Sequence, residues 1–255
     1  MNPRITNWTD KRVWVIGAST GIGEACAHEL IDSGARVAFS ARNLERLLAT
    51  TANTPRALAL PLDVTDRDSV AGVCKRLVAE WGGIDLVLVV AGGYNEMRAD
   101  SFDLQAANQL IDLNLRGVFN CLDAVLPVLL RQGAGGIGLV ASVAGYGGLP
   151  KALVYGPTKA ALINLSESLY LDLHPKGIAV YQINPGFVDT PLTANNDFKM
   201  PALMTAQEAG GQLIDGIERG QFHIHFPKRF TNSMRLARLL PYRLYFWLIH
   251  KVTGL

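Results

Sequence analysis

The fold is decided by the stretch Val13-Trp14-Val15-Ile16-Gly17-Ala18-Ser19-Thr20-Gly21-Ile22-Gly23. Four apolar residues come first, a turn with three glycines follows, and residues 24–33 have a helix-like composition. A strand, a glycine-rich turn and a helix in this order form the context in which backbone amides and a helix N-terminus bind a pyrophosphate. Because glycine-rich turns often only connect elements, the interpretation depends on the rest of the chain.

Strand-like and helix-like segments alternate beyond this stretch. The further predicted strands cover residues 36–40, 57–62, 84–91, 136–142, 178–184 and 222–226. The further predicted helices cover residues 44–51, 66–81, 104–129, 155–173 and 207–219. This alternation predicts an α/β, Rossmann-like, doubly wound parallel sheet of about seven strands with helices on both faces. Ligands of such sheets bind at the carboxyl ends of the strands. We expect one catalytic domain over residues 1–227 and a C-terminal extension over 228–255.

Composition excludes several classes of protein. The chain has 255 residues, 49% hydrophobic and 18% charged, so it can bury a sizeable core and is not globally disordered. A net charge of +2 is too small to indicate a nucleic-acid-binding protein. The charge is uneven, however, because residues 220–255 contain six Lys and Arg and no Asp or Glu.

The cysteines and the N-terminus indicate where the chain works. Cys26, Cys74 and Cys121 are far apart and show neither metal-ligand nor disulfide spacing, which predicts buried thiols, no metal site and a reducing compartment. Residues 1–10 are polar and lack the apolar run of a signal peptide. We expect a soluble, cytoplasmic protein.

A candidate catalytic group lies at the start of the helix predicted over residues 155–173. Tyr155 and Lys159 are four residues apart and therefore share one helix face. Phenols ionise near about pH 10, and a nearby ammonium group favours the phenolate. Ser142 follows the apolar run 137–141, where the end of a strand would place its hydroxyl in the same cleft. These three residues predict an enzyme.

Two polar residues accompany this group. Asn114 lies among apolar residues of a predicted helix, and a buried asparagine needs hydrogen-bond partners. It is either structural or holds a water near the active site. Asp63 ends the third predicted strand, and Ala91-Gly92 ends the fourth, where the backbone can pass close to a ligand.

The second strand is followed by Ala41 and Arg42, with no acidic residue at its end. An acidic residue there would bind a ribose 2′-hydroxyl. Space at Ala41 and a cation at Arg42 suit a 2′-phosphate instead, so NADP(H) is favoured over NAD(H). The alternative is that Arg42 is a solvated loop charge.

Taken together and in this order, these motifs resemble those of the short-chain dehydrogenase/reductase family, in particular the members that are about as long as this chain. The resemblance covers residues 10–227. It rests on these residues and motifs: the glycine turn 17–23, Asp63, Asn114, Ser142, Tyr155-Gly156-Pro157-Thr158-Lys159, and Pro185-Gly186 with Thr190. The family usually has two asparagines where this chain has Val89-Val90, and its NADP-preferring members often have a basic residue at the position of Thr20.

The resemblance implies roles for the catalytic residues. Tyr155 would be the general acid or base, Ser142 would bind the substrate oxygen, and Lys159 would lower the Tyr155 pKa and hold the nicotinamide ribose. Asn114 would position a water that links Lys159 to solvent. The resemblance also implies contacts between Asp63 and the adenine. The residues expected to bind the cofactor are Gly17, Ser19, Thr20, Gly21, Ile22, Gly23, Arg42, Asp63, Val64, Ala91, Gly92, Tyr155, Lys159, Pro185, Gly186, Val188 and Thr190.

The segment 187–204 is rich in Pro, Asn, Phe and Met and is predicted to be a substrate lid. Its apolar side chains and those across the cleft either contact an apolar substrate or pack a closed lid; they are Phe187, Leu192, Phe198, Met200, Met204, Tyr94 and Met97. Since the segment's only charged residues are Asp189, Asp197 and Lys199, we expect a lipophilic ketone, aldehyde or secondary alcohol as substrate.

Residues 228–255 are predicted to form two short amphipathic helices separated at Pro241. Basic amphipathic helices with Trp and Tyr can lie on a membrane surface, which would make the protein membrane-peripheral. The alternative is that their apolar side packs on the core or on a second subunit and covers the substrate cleft. We expect a homodimer or homotetramer, because the family often dimerises through the helices that hold Asn114 and Tyr155.

Two other functions stay open at this point. The chain could be an isomerase, epimerase or dehydratase that uses the same tyrosine with a retained cofactor. It could also be a non-catalytic dinucleotide-binding redox sensor, although such proteins commonly lack part of the Ser, Tyr and Lys set.

Overall fold

A computed structural model describes residues 1–52, 54–194, 196 and 200–254. Within these residues, seven parallel strands form one sheet in the order β3-β2-β1-β4-β5-β6-β7. The strands are β1 (Arg12–Ile16), β2 (Arg36–Ser40), β3 (Ala57–Ala59), β4 (Leu86–Val89), β5 (Gly135–Val140), β6 (Ile178–Pro185) and β7 (His223–Phe226). The predicted doubly wound sheet is confirmed.

Helices cover both faces of this sheet. They are α1 (Gly21–Asp32), α2 (Leu44–Thr51), α3 (Arg67–Trp81), α4 (Leu104–Ile111), α5 (Gly117–Gln132), α6 (Tyr155–Leu173), α7 (Ala206–Glu218), α8 (Lys228–Arg238) and α9 (Tyr242–Thr253). Alternate residues of β1 enter opposite cores. Val13 and Val15 pack with α1, α2 and α7, whereas Trp14 and Ile16 pack with α3, α5 and α6. Burial on both faces explains the continuous apolar strands.

The position of β1 locates the binding crevice. Its end, Ile16, pairs with Ser40 of β2 on one side and with Val89 of β4 on the other. The strand order reverses between these neighbours, and a crevice forms at such a switch point. The glycine turn leaves β1 at this crevice.

Three strands differ from the prediction by two or more residues at one end or both, and the fifth of the chain ends at Val140 and not at residue 142. The third strand ends at Ala59 and not at residue 62, although the Leu60 and Leu62 amides still donate to the Phe39 and Ala41 carbonyls. The fourth strand is Leu86–Val89 and not 84–91, since the amides of Val90 and Ala91 both bond to the Ile16 carbonyl as the chain leaves the sheet.

The predicted helix 104–129 is interrupted at Asp112–Arg116 by a π turn, which contains Asn114. The whole segment Leu104–Gln132 is long and apolar enough to cross a membrane by length and composition alone. Its inner residues, including Val118 and Val125, pack in the core beneath the sheet. Core helices of soluble proteins pass the same test, and this packing is that of a core helix.

The C-terminal residues form two helices with a break at Pro241, as predicted. Tyr245 of α9 is buried, and its hydroxyl donates to the Gly148 carbonyl at 2.8 Å. Thr231 of α8 is buried beside His225, with 2.6 Å between Oγ1 and Nδ1. The extension therefore packs on the sheet domain. The three cysteines are free and buried, as expected.

Candidate active site

A cleft of about 360 Å³ lies at the carboxyl ends of the central strands. The predicted cofactor residues that line it are Gly17, Ser19, Thr20, Gly21, Ile22, Arg42, Asp63, Val64, Ala91, Gly92, Tyr155, Lys159, Pro185, Gly186, Val188 and Thr190. Gly23 does not line the cleft. A Cβ there would meet the Gly17 carbonyl oxygen, so this glycine lets α1 pack against the turn.

The turn has the geometry of an anion cradle. Gly17 has φ +95°, and a Cβ on it would collide with the Ala91 backbone. Gly21 has φ +59°, and a Cβ there would lie 2.8 Å from Thr190 Cγ2. Helix α1 begins at Gly21, and the Thr20 side chain makes no capping hydrogen bond to its first amides. Open amides at a helix N-terminus suit a pyrophosphate, so these residues fit a dinucleotide.

The adenosine end of the cleft is lined by Arg42 and Asp63. Burial works to raise the Asp63 pKa, but hydrogen bonds from Thr65 and the charge of Arg42 lower it overall. The Ser40 hydroxyl is turned inward and accepts from Trp14 Nε1 at 2.9 Å. Arg42 is thus a cation that lines the cleft just beyond the end of β2.

Lys159 is buried, with 4% of the residue exposed. Its ammonium group donates to the Val140 carbonyl at 2.9 Å and lies 5.6 Å from the centre of the Tyr155 ring. Burial lowers the Lys159 pKa to about 8. The two side chains thus meet on one helix face at the end of β5.

The expected lowering of the Tyr155 pKa is wrong for this structure. Burial raises the Tyr155 pKa, a hydrogen bond with Ser142 works to lower it, and Tyr94 adds to the rise. The neighbouring cation favours the phenolate, but desolvation disfavours it, and the extent of desolvation depends on packing that the sequence does not show. The Tyr94 ring packs edge-on against Tyr155, with ring centres 5.2 Å apart.

Ser142 follows β5, and its Oγ accepts from the Ala144 amide at 3.1 Å. Its carbonyl accepts from Asn184 Nδ2 at 2.9 Å, and Asn184 Oδ1 accepts from Gln182 Nε2 at 2.8 Å. Both amide side chains are buried. They fix the backbone of Ser142, a role that the sequence analysis missed, since only strand pairing brings β6 to this position.

Asn114 does not line the cleft but lies behind Gly93. Its Oδ1 accepts from the Gly93 amide at 2.7 Å, and its Nδ2 donates to the Gly93 carbonyl at 2.9 Å and to Thr158 Oγ1 at 3.2 Å. The asparagine therefore ties the end of β4 to α6. These bonds give Asn114 a structural role, and the expected role in holding a water stays a prediction. Asn114 lies in a π turn, a feature that often occurs at functional sites.

A second, largely apolar cavity of about 430 Å³ adjoins the cleft and shares Ser142 and Tyr155 with it. The C-terminal extension contributes part of its wall: Phe230, Met234, Ile249, Val252 and Thr253. The inner side of the extension therefore packs on the core beside the cleft, which is one of the two alternatives predicted from the sequence.

The predicted lid residues divide into three groups. Phe187, Leu192 and Tyr94 line the apolar cavity. Met204, Met97 and Met200 do not line it. Met204 and Met97 are buried in separate core clusters, and Met200 Sδ accepts from Asn196 Nδ2 at 3.3 Å. Phe198, Asp197 and Lys199, which the sequence analysis also named, lie outside the described residues.

The chain was compared with known proteins. The family model described as short chain dehydrogenase matches residues 11–200. The chain is 36% identical over 231 residues to an uncharacterized oxidoreductase of Myxococcus xanthus, covering 89% of this chain and 91% of that one. It is also 36% identical over 207 residues to an uncharacterized oxidoreductase of Staphylococcus epidermidis, covering 80% of this chain and 90% of that one.

Two solved structures are similar in fold. One, titled ribose-5-phosphate isomerase from Brucella melitensis, has a TM-score of 0.78 at 28% identity and covers 86% of this chain and 92% of that one. The other, titled short chain dehydrogenase/reductase family protein, has a TM-score of 0.75 at 25% identity and covers 86% and 97%. The glycine cradle, the Ser142, Tyr155 and Lys159 group and these matches lead to one conclusion: the chain belongs to the short-chain dehydrogenase/reductase family of NAD(P)-dependent oxidoreductases.

Proposed function

We propose that this protein is an NADP(H)-preferring reductase or dehydrogenase that interconverts a lipophilic ketone or aldehyde and its alcohol. The observation that carries the proposal is the position of Ser142 and Tyr155, which line both the nucleotide cleft and the apolar cavity. A carbonyl group at this junction would face the proton donor and the nicotinamide together.

The residues have separate tasks in this proposal. Tyr155 donates its proton to the carbonyl oxygen, and the Ser142 hydroxyl holds that oxygen by a hydrogen bond. Burial raises the Tyr155 pKa, which favours the protonated phenol that a proton donor requires. Positioned proton transfer of this kind contributes about 10²–10⁴-fold to the rate.

The cofactor would be held by the glycine turn at its pyrophosphate, by Arg42 at its 2′-phosphate and by Lys159 at its nicotinamide ribose. When bound, the nicotinamide supplies the hydride chemistry. Asn114 keeps the Gly92-Gly93 wall in place through its bonds to Gly93.

A second candidate function is isomerisation with a retained cofactor, because one structural neighbour is titled ribose-5-phosphate isomerase. The mostly apolar lining of the cavity fits a lipophilic compound better than a sugar. Stoichiometric NADPH oxidation during turnover supports the reductase, whereas catalysis without it supports the isomerase. A pure redox sensor would need no intact proton donor.

We further propose that the sheet domain (1–227) works as a homo-oligomer and that the extension (228–255) contacts anionic membrane surfaces. The outer side of the extension exposes large apolar side chains beside its cations: Leu236, Leu239, Tyr242, Leu244, Phe246 and Trp247. Since the inner side closes the apolar cavity, lipophilic substrates would reach the cavity from the membrane surface.

Tyr155→Phe tests the reaction. It removes one hydroxyl and keeps the ring contacts with Tyr94 and Lys159, so NADPH affinity should stay within about threefold while kcat falls by about 10²-fold or more. The matched control is Tyr170→Phe on the same helix, whose hydroxyl accepts from the N-terminal amine at 2.9 Å. A panel of carbonyl compounds read by NADPH absorbance supplies the rates. Undiminished turnover in Tyr155→Phe would refute the proposed acid.

A further inference from the structure

The apolar cavity contains an unexpected charge. Its described lining includes two cations, Arg98 and Lys151, and no Asp or Glu. Lys199 is the one cation of the segment 187–204, whereas Arg98 reaches the cavity from a different loop, which the sequence did not predict.

The two cations differ in their surroundings. Lys151 Nζ forms an ion pair with Glu96 at 3.1 Å, so a carboxylate already compensates its charge. Arg98 is half-buried, and its guanidinium makes no hydrogen bond, ion pair or ring contact with any residue in the described part of the chain. A half-buried arginine whose guanidinium has open donors is suited to a planar anion, which it can bind through two parallel hydrogen bonds.

The backbone fixes Arg98 at this wall. The Met97 amide donates to the Lys151 carbonyl at 3.1 Å, and the Leu153 amide donates to the Met97 carbonyl at 3.4 Å. Arg98 also lines a neighbouring cavity of about 260 Å³, which extends to Phe246 and His250 of α9. Ser142 and Tyr155 do not line that neighbouring cavity. The cation therefore lies at the border between the chamber with the reactive hydroxyls and an outer chamber.

We propose that Arg98 binds an anionic group of the substrate, and that the substrate is an amphiphile with an apolar body and a terminal carboxylate. The part of this inference that concerns the reacting carbonyl rests on the proposed function. The apolar body fills the space between the lid and the extension, while the carboxylate meets Arg98 and the carbonyl meets Ser142 and Tyr155. A volume of about 430 Å³ is adequate for a medium-length chain.

Binding tests the inference without turnover. Octanoate and octanamide have the same number of heavy atoms and differ in charge. Calorimetric titration of the full-length protein, with excess NADP+ in the cleft, should show octanoate binding at least about tenfold more tightly, as expected for a charge-assisted contact. In Arg98→Met the difference should vanish while octanamide affinity stays unchanged. The exposed Arg131 provides the control Arg131→Met, which should bind as the parent does.

Three outcomes would overturn the inference: equal affinity of the parent protein for the two probes, binding of neither probe, or a preference for octanoate that persists in Arg98→Met. The assignment to Arg98 would also be overturned if the preference for octanoate over octanamide were lost in Lys151→Met and kept in Arg98→Met. Kinetics with a medium-chain keto acid and its methyl ester separate this inference from the proposed function. Turnover of the ester without a preference for the acid contradicts only the role of Arg98, whereas octanoate binding without any turnover contradicts only the reductase.

Discussion

Replacement of Lys159 by methionine should make the fold more stable at neutral pH. The ammonium group is buried, and burial lowers its pKa from 10.5 to about 8. At neutral pH it is charged in both the folded and the unfolded chain, so the folded chain carries the cost of a buried cation. One pKa unit corresponds to about 1.4 kcal/mol, and the shift therefore costs about 3 kcal/mol at most. Methionine keeps the apolar stem without the charge, and we expect it to stabilise the fold by about 1–3 kcal/mol.

The advantage should shrink as the pH rises. Between the folded pKa near 8 and the ordinary value of 10.5, the folded chain releases the proton while the unfolded chain retains it. The unfolded state then binds more protons, so the stability of the lysine form increases with pH across this window. The methionine form lacks this increase, and the difference in the free energy of unfolding between the two forms approaches its minimum above the window.

Urea unfolding followed by tryptophan fluorescence, from neutral pH to about pH 10, measures the difference. Both forms are compared in the Tyr155→Phe background, which prevents the neighbouring phenol from titrating. Lys75→Met, at an exposed lysine of α3, should change stability little at any pH. A Lys159→Met form that is less stable at neutral pH, or a difference independent of pH, would refute the argument that this cation lacks compensation in the fold.

Two further predictions concern the cofactor and the extension. Arg42→Ala should raise the KM for NADPH by about tenfold or more and leave the KM for NADH unchanged, since only NADPH offers a 2′-phosphate to the guanidinium. Arg46→Ala is the control. Equal KM changes for the two cofactors would show that Arg42 is only a solvated charge. Leu239→Ser with Trp247→Ser should abolish co-sedimentation with phosphatidylcholine vesicles that contain phosphatidylglycerol; unaltered co-sedimentation, or no binding by the parent protein, would contradict membrane contact. Substitution is preferable to truncation at residue 227, because the extension also forms the wall of the apolar cavity.

The order of strands and helices was predictable because each strand is a short apolar run, helix-like segments separate these runs, and some helices begin at a capping residue. Asp66 shows this, since its side chain accepts from the amides of Asp68 and Ser69 at the start of α3. Boundaries were less predictable where a local backbone feature decides them. The third strand ends at Ala59 although two later amides still bond to the Phe39 and Ala41 carbonyls, and the π turn around Asn114 leaves no pattern in the sequence that a continuous helix would not also produce.

The candidate site was predictable where the chemistry depends on spacing along the chain. The pair Tyr155 and Lys159 is one helical turn apart, and the glycine turn is contiguous. Contacts that only the tertiary structure creates were not predictable. Asn184 meets Ser142 through strand pairing, and Arg98 meets the cavity through the backbone bonds between residues 97 and 153.

The Tyr155 pKa shows why spacing alone is insufficient for electrostatics. A cation four residues away argues for a lower pKa, but the same packing that brings Lys159 close also removes water from both groups. Desolvation raises the pKa of the phenol and lowers that of the ammonium, so both groups shift toward their neutral forms. The direction could be read only from the folded structure.

The lowered pKa of Lys159 and the guanidinium of Arg98, unpaired in the part of the chain that the structure describes, have one explanation. Within the described residues, two cations at these cavities have no carboxylate partner: the buried Lys159 in the cleft and the half-buried Arg98 in the apolar cavity. A fold selected for stability alone would pair or remove such charges, because an uncompensated buried charge is costly. A ligand would supply the missing partner of each cation. The hydroxyls of the nicotinamide ribose would accept hydrogen bonds from Lys159, and the substrate carboxylate would pair with Arg98. Binding of the two ligands should therefore stabilise the protein at separate positions, and loss of one cation should leave the stabilisation by the other ligand intact.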